Sequence, residues 1–145
     1  MNLATDSRSM VIPALRYRDA RKAIEWLQTA FGFTVQAIYD GPANTVAHAQ
    51  LVLSNEKGRG MIMLGSASNE GEWAKQMAQP DEIGGRSTVG IYLVVPDATT
   101  MFDSARAAGA TIVQPLAEMD YGGKAFGCRD LEGHVWSIGE YDPWH

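Results

Sequence analysis

The sequence lacks several things, and each absence excludes a class of protein. One cysteine, Cys128, occurs in 145 residues, so no internal disulfide framework exists and a reducing, cytoplasmic location is expected. The longest apolar stretch, Val89 to Pro96, is far too short to span a bilayer, which predicts no membrane association. The opening segment MNLATDSRSM has no apolar run of signal-peptide length, so no leader is expected. Basic residues are few: 12 lysines and arginines face 17 aspartates and glutamates, for a net charge of −5. The densest basic cluster, Arg16, Arg18, Arg21 and Lys22, is diluted by Asp19 and Glu25, which argues against a nucleic-acid partner. Gly84-Gly85 lacks the following Lys-Ser/Thr of a phosphate loop, and no Gly-x-Ser-x-Gly elbow occurs. No pair of carboxylates sits in a pattern suited to glycoside hydrolysis.

What is present is a repeat. An apolar run, Met10 to Leu15, turns at Asp19 into a helical pattern with Ala20, Ala23, Ile24, Leu27, Ala30 and Phe31 on one face. A second run, Val89 to Val95, turns at Asp97 into a helix with Ala98, Met101, Phe102, Ala105 and Ala108 on one face. Each aspartate is a good N-cap, and Gly32 and Gly109 stand where the helices should stop. Strand-like segments follow both helices: 33–39, 45–53 and 61–64 in the first half, 111–114, 124–128 and 135–139 in the second. Turns are expected at Gly41-Pro42, over 55–60, at Tyr121-Gly-Gly, and over 130–133.

Each half therefore reads strand, helix, strand, strand, strand. The predicted fold class is α+β: two βαβββ modules forming a curved eight-stranded mixed-sheet cup, with helices on the convex side. The chain reads as a single domain over 1–145, with a module at 9–65, a polar connector at 66–87 and a module at 88–141. So long a connector is a functional flap, a module hinge or a plain surface tether, and one short helical turn is expected in it at 72–77.

The motifs carry a family likeness: Leu15-Arg-Tyr-Arg-Asp19 and Ala30-Phe-Gly-Phe33 around the first helix, Val94-Val-Pro-Asp97 and Ala107-Ala-Gly-Ala110 around the second. Arg129-Asp-Leu-Glu-Gly-His-Val-Trp136 forms the last hairpin. Together they resemble the vicinal oxygen chelate superfamily, which includes glyoxalase I, bleomycin resistance proteins and extradiol dioxygenases. The resemblance spans Val11 to Trp144, and the hairpin departs from the usual Asp-Pro-x-Gly by carrying Leu131. It implies homodimers, and in metal-dependent members a divalent ion held by His, Gln or Glu from the first strand and a late strand of each module. Carried over, those positions fall on Ile12, Gln50, at or next to Gly90, and on Ser137. Only Gln50 can serve, so no metal or other cofactor is expected.

Strand alternation then gives the polar lining of the cup as Arg16, His48, Gln50, Tyr92 and Ser137. Arg16 suits a ligand carboxylate or phosphate, or an internal carboxylate such as Asp19. His48 is a candidate general base or a structural, hydrogen-bonded histidine. Tyr92 suits stacking on a planar ligand, and Tyr121, beside Gly122-Gly123, together with Trp73 in the connector, suits a closing flap. Trp26 is an interface candidate. His134 is expected to face out of the cup or to sit in the hairpin, and Cys128 has no activating neighbour. The expected function is binding of a small organic molecule in a concave cavity without a catalytic metal. The alternative is a glyoxalase-like lyase or isomerase, or a dioxygenase-type enzyme, with a non-standard metal site or His48 as base.

Overall fold

The computed structural model describes residues 8–145, so the expectation of no leader falls mainly outside the described chain. The first module runs β1 (Ala14–Tyr17), α1 (Ala20–Phe31), β2 (Thr34–Asp40), β3 (Val46–Asn55) and β4 (Gly58–Ser66). The second runs β5 (Ile91–Val94), α2 (Ala98–Ala107), β6 (Thr111–Glu118), β7 (Lys124–Arg129) and β8 (Val135–Gly139). Strand order is β1-β4-β3-β2 in one sheet and β5-β8-β7-β6 in the other. In each, the first strand lies parallel to the last and the remaining pairs are antiparallel, so both sheets are mixed. The doubled α+β unit is thus present as two sheets of four.

Both helices start as their sequence dictates. Asp19 accepts the Lys22 amide, and Asp97 accepts those of Thr99 and Thr100, supplying acceptors that a first turn otherwise lacks. Gly32 closes α1 in the left-handed conformation (φ 79°), a region costly for any residue with a Cβ. Both apolar stripes run into one continuous core.

Strand ends differ from the sequence reading for identifiable reasons. The first strand occupies 14–17 rather than 10–15. Met10 and Val11 are exposed, and Pro13 has no amide hydrogen to give a neighbour. The β3–β4 strands run into the expected 55–60 turn, leaving Glu56 and Lys57 as a two-residue connection. The connector holds the expected turn within 72–77, a 3-10 turn at Ala74–Gln76, and a second one at Pro80–Ile83. No helix among the described residues is long and apolar enough to cross a membrane.

The modules are locked together by side chains that close hydrogen bonds across the chain. The Trp26 indole donates to the Ala108 carbonyl at 2.7 Å, and the Ser104 hydroxyl reaches the Thr29 and Ala30 carbonyls. Phe31 and Phe33 pack on Trp136, with ring centroids 5.1 and 6.1 Å away. Trp26 is therefore an interface residue, with the interface inside the chain.

Candidate functional site

The free edge of β1 organises the polar part of the site. Arg16 is only 8% exposed, and its Nη2 donates to the carbonyls of Ser66, Ala67 and Asn69 at 3.0, 2.8 and 2.5 Å. Those bonds fasten the start of the connector to β1. Asp19 is not its partner, because that carboxylate caps α1. Among the described residues no carboxylate lies within ion-pair distance of Arg16.

The Arg16 carbonyl in turn accepts from Gln79 Nε2 and His134 Nε2, both at 2.8 Å. A carbonyl can only accept, so His134 donates from Nε2. His134 sits in the hairpin, as expected, yet it also lines a cavity. Gln79 is held by a capping box: its amide donates to Glu82 Oε1 at 2.8 Å.

That cavity has a volume of about 470 Å³ and lies between β1, the connector and β5. Its apolar wall includes Val11, Ile12, Met77, Ile83 and Val89; its polar groups include Arg16, Arg86, Ser87, Tyr92 and His134. The Ser87 hydroxyl is buried and has no hydrogen-bond partner among the described residues. A second cavity of about 290 Å³ shares Arg16 and contains His48 and Trp73. Arg16 therefore stands in the wall common to both.

On the second module Tyr92 lies across Gly139 and donates its hydroxyl to the Tyr141 carbonyl at 2.7 Å. A Cβ at position 139 would stand 2.6 Å from that hydroxyl, so glycine is what lets the ring lie flat there. Tyr121 meets Tyr141 edge-on, at 5.1 Å between centroids and 70° between planes. Burial first, then the neighbouring Tyr121 and Asp142 groups, raise the Tyr92 pKa, which keeps the hydroxyl a donor. Ser137 pairs in register with Tyr92 on the adjacent strand.

On the first module His48, Gln50 and Gln36 form a chain. His48 Nε2 lies 3.0 Å from Gln50 Oε1, and Gln50 Nε2 donates to Gln36 Oε1 at 2.6 Å. The Tyr39 ring tilts against His48 at 6.0 Å. The imidazole is thus engaged in orienting an amide. The six residues singled out from sequence separate into groups: Arg16 with Tyr92 in the larger cavity, Arg16 with His48 in the smaller. Gln50, Tyr121 and Ser137 line neither.

The family's metal does not suit these side chains. Ile12 and Gly90 precede β1 and β5. Within the strands, Ala14 pairs with Met63 just as Tyr92 pairs with Ser137, and Gln50 pairs with Met63 from the other side. A methyl, a thioether, a phenol, a hydroxyl and one amide are not a donor set for a divalent ion. Among the described residues no group of three or more His, Cys, Asp or Glu could hold one.

The hairpin motif carries the remaining buried polar cluster. Asp130 Oδ2 accepts from Tyr17 and Trp136, while Oδ1 accepts the Glu132 and His134 amides. Burial pushes the Cys128 thiol up to about 12, with Asp130 adding to it, so no thiolate nucleophile exists there. Gln79 was detectable from its Gln-Pro-x-Glu spacing; Ser87 and Arg86 gave no local signal, because only the folded connector brings them to β1.

Two βαβββ units on one core, with a mixed apolar and cationic cavity at the edges of their first strands, define a class of paired-module, small-molecule-sized site. The chain belongs to the Glyoxalase/Bleomycin resistance protein/Dioxygenase superfamily, whose profile matches residues 10–138. An uncharacterized protein of Mycobacterium bovis is 30% identical over 138 residues, covering 95% of this chain and 87% of its own. The crystal structure of TioX from Micromonospora sp. ML1 superposes with a TM-score of 0.68 at 29% identity, over 92% of this chain and 99% of TioX. A glyoxalase I variant from Zea mays shares the fold, at a TM-score of 0.68 and 16% identity, over 91% of this chain and 45% of the maize chain.

Proposed function

We propose that this protein binds a small organic molecule in the cavity between β1, the connector and β5, without a catalytic metal. The observation that carries this reading is the cavity itself: about 470 Å³, within the range of ligand sites, with an apolar wall and a few converging polar groups. Tyr92 supplies a flat face and Arg16 a fixed charge. The reading follows bleomycin-resistance-type encapsulation rather than bond making, since the candidate base His48 lies outside this cavity, hydrogen-bonded to Gln50. The working unit is a cytoplasmic homodimer. Val11 and Val89 are largely exposed at the cavity, and Trp144 is exposed near the chain end, which suits burial against a second copy.

The test fills the cavity. Gly90 lines it and has nothing within 4 Å of where a Cβ would stand. Gly90→Leu is therefore expected to keep the melting temperature and to abolish calorimetrically measured binding of naphthalene-sized compounds. Binding that survives in Gly90→Leu removes this cavity as the site. Sedimentation velocity tests the dimer.

A further inference from the structure

We infer that the ligand is an amphipathic organic anion: a compact oxyanion, such as a carboxylate, on a flat apolar body. The inference rests on the binding reading above and adds the charge of what is bound. The protein as a whole is acidic, at −5, yet the residues lining the 470 Å³ cavity include Arg16 and Arg86 and not one carboxylate. Neither arginine forms an ion pair among the described residues.

Arg16 is the stronger of the two. Its three protein hydrogen bonds all leave from Nη2, so Nη1 and Nε, which carry three of the five guanidinium hydrogens, have no acceptor among the described residues. Three carbonyl dipoles hold the group in place without neutralising it. A buried cation with no counter-ion is unfavourable, and an entering anion relieves that cost as it binds. The planar fork also matches two oxygens of one carboxylate, which an ammonium would not.

A second observation points the same way. The Ser87 hydroxyl lies in the same cavity, buried and without a partner among the described residues, and donating its proton to an oxyanion would satisfy it. Arg86, exposed beside it in the chain, adds attraction at the mouth. The same cavity is also lined by Ile12, Met77, Ile83, Val89 and Tyr92, which suit an apolar body. The acidic net charge thus misleads about the ligand.

Calorimetry with three matched probes decides it: 2-naphthoate, 2-naphthamide and 2-naphthylmethylammonium. The naphthoate is expected to bind about tenfold tighter than the amide, with the ammonium weakest. High salt should narrow the gap through the Arg86 contribution. Arg86→Glu, at an exposed position with no ion pair among the described residues, should cost the naphthoate about threefold and the amide less. Arg16→Met should bring naphthoate down to the amide's affinity; Ser87→Ala provides a milder version should Arg16→Met fail to fold. Amide binding equal to naphthoate binding, or tighter binding of the ammonium, overturns the anion assignment while leaving the cavity as a site. If none of the three binds, the cavity reading itself falls and the assignment falls with it.

Discussion

The Tyr17 hydroxyl donates to Asp130 Oδ2 at 2.6 Å, joining the end of β1 to the last hairpin across 113 positions of sequence. Both residues are buried, and the same oxygen accepts from the Trp136 indole at 3.0 Å. The bond therefore closes the two modules at their shared core. Burial first, then the Asp130 charge and hydrogen bond, raise the Tyr17 pKa well above its ordinary value.

From this bond follows the behaviour at high pH. A tyrosine whose folded pKa lies above its unfolded value gives stability that is complete below the unfolded pKa of about 10 and is lost as pH rises beyond it. The melting temperature should fall between neutral pH and about pH 11, and Tyr17→Phe should fall less over that window. At neutral pH Tyr17→Phe should cost about 2 kcal/mol, the value of a hydrogen bond to a charged group. Asp130→Ala should cost about 3 kcal/mol or more, because it orphans buried donors of Tyr17 and Trp136. Equal alkaline profiles for wild type and Tyr17→Phe would remove the assignment.

The opposite sign holds for Glu140. Its carboxylate accepts the Ala98 amide at 3.0 Å and the Lys124 amide at 2.9 Å, tying α2, β7 and the chain after β8 together. Those two bonds lower its pKa, and Thr100 and Thr99 lower that of Asp97 at the same helix end. Depressed carboxylates give stability that is present above the unfolded pKa and is lost as pH falls through the folded one. Acid should therefore loosen the second module first. Hydrogen exchange at α2 amides should accelerate below pH of about 4 while α1 stays protected. Glu140→Gln keeps the shape but turns an acceptor into a donor facing an amide hydrogen, at a cost of about 1–3 kcal/mol in chemical denaturation.

Cys128 offers a clean probe of the same core. It is fully buried in β7, and its thiol is pushed up to about 12. A disulfide reagent such as dithiobis-nitrobenzoate at mildly alkaline pH should leave the native protein untouched and label one thiol on unfolding. Fast labelling of the folded protein would mean that β7 opens readily.

Much of this molecule was legible in its sequence, for local reasons. Asp19 and Asp97 cap because a side-chain acceptor immediately before an apolar stripe satisfies a first turn; Gly32 stops α1 because it tolerates positive φ. The module order followed from period and turns. What escaped depended on distant contacts. Arg16 points to carbonyls 50 to 53 positions away, and no local rule says whether an arginine will find a carboxylate or a carbonyl. His134 and Ser87 reach the cavity only because the connector folds back along β1. Tyr92 lies on a strand as expected, whereas Arg16 lies on one that runs past the expected end at 15. Alternation could not show that Gln50, on β3, would lie outside the cavity that those two share, because β4 intervenes between β3 and β1.

That separation gives the sharpest test of which residues bind. Tyr92 walls the cavity and Gln50 does not, so Tyr92→Ala should weaken binding of a naphthalene-sized ligand by about tenfold, whereas Gln50→Ala should leave it unchanged. Tyr92→Ala also removes packing, which makes a subtler variant useful. Gly139 has ordinary backbone angles, and its added Cβ would stand 2.6 Å from the Tyr92 hydroxyl and 3.1 Å from the ring, at the movable end of a side chain. Gly139→Ala should therefore swing the ring off the Tyr141 carbonyl while β8 keeps its pairing. Binding should drop toward the Tyr92→Ala value, with a fall in melting temperature as well, because the added methyl also stands 3.2 Å from the Ala125 Cβ and the Tyr92 hydroxyl loses its bond to Tyr141. Loss of binding in Gln50→Ala with no effect of Gly139→Ala would shift the site to the His48–Gln50–Gln36 face of the first module.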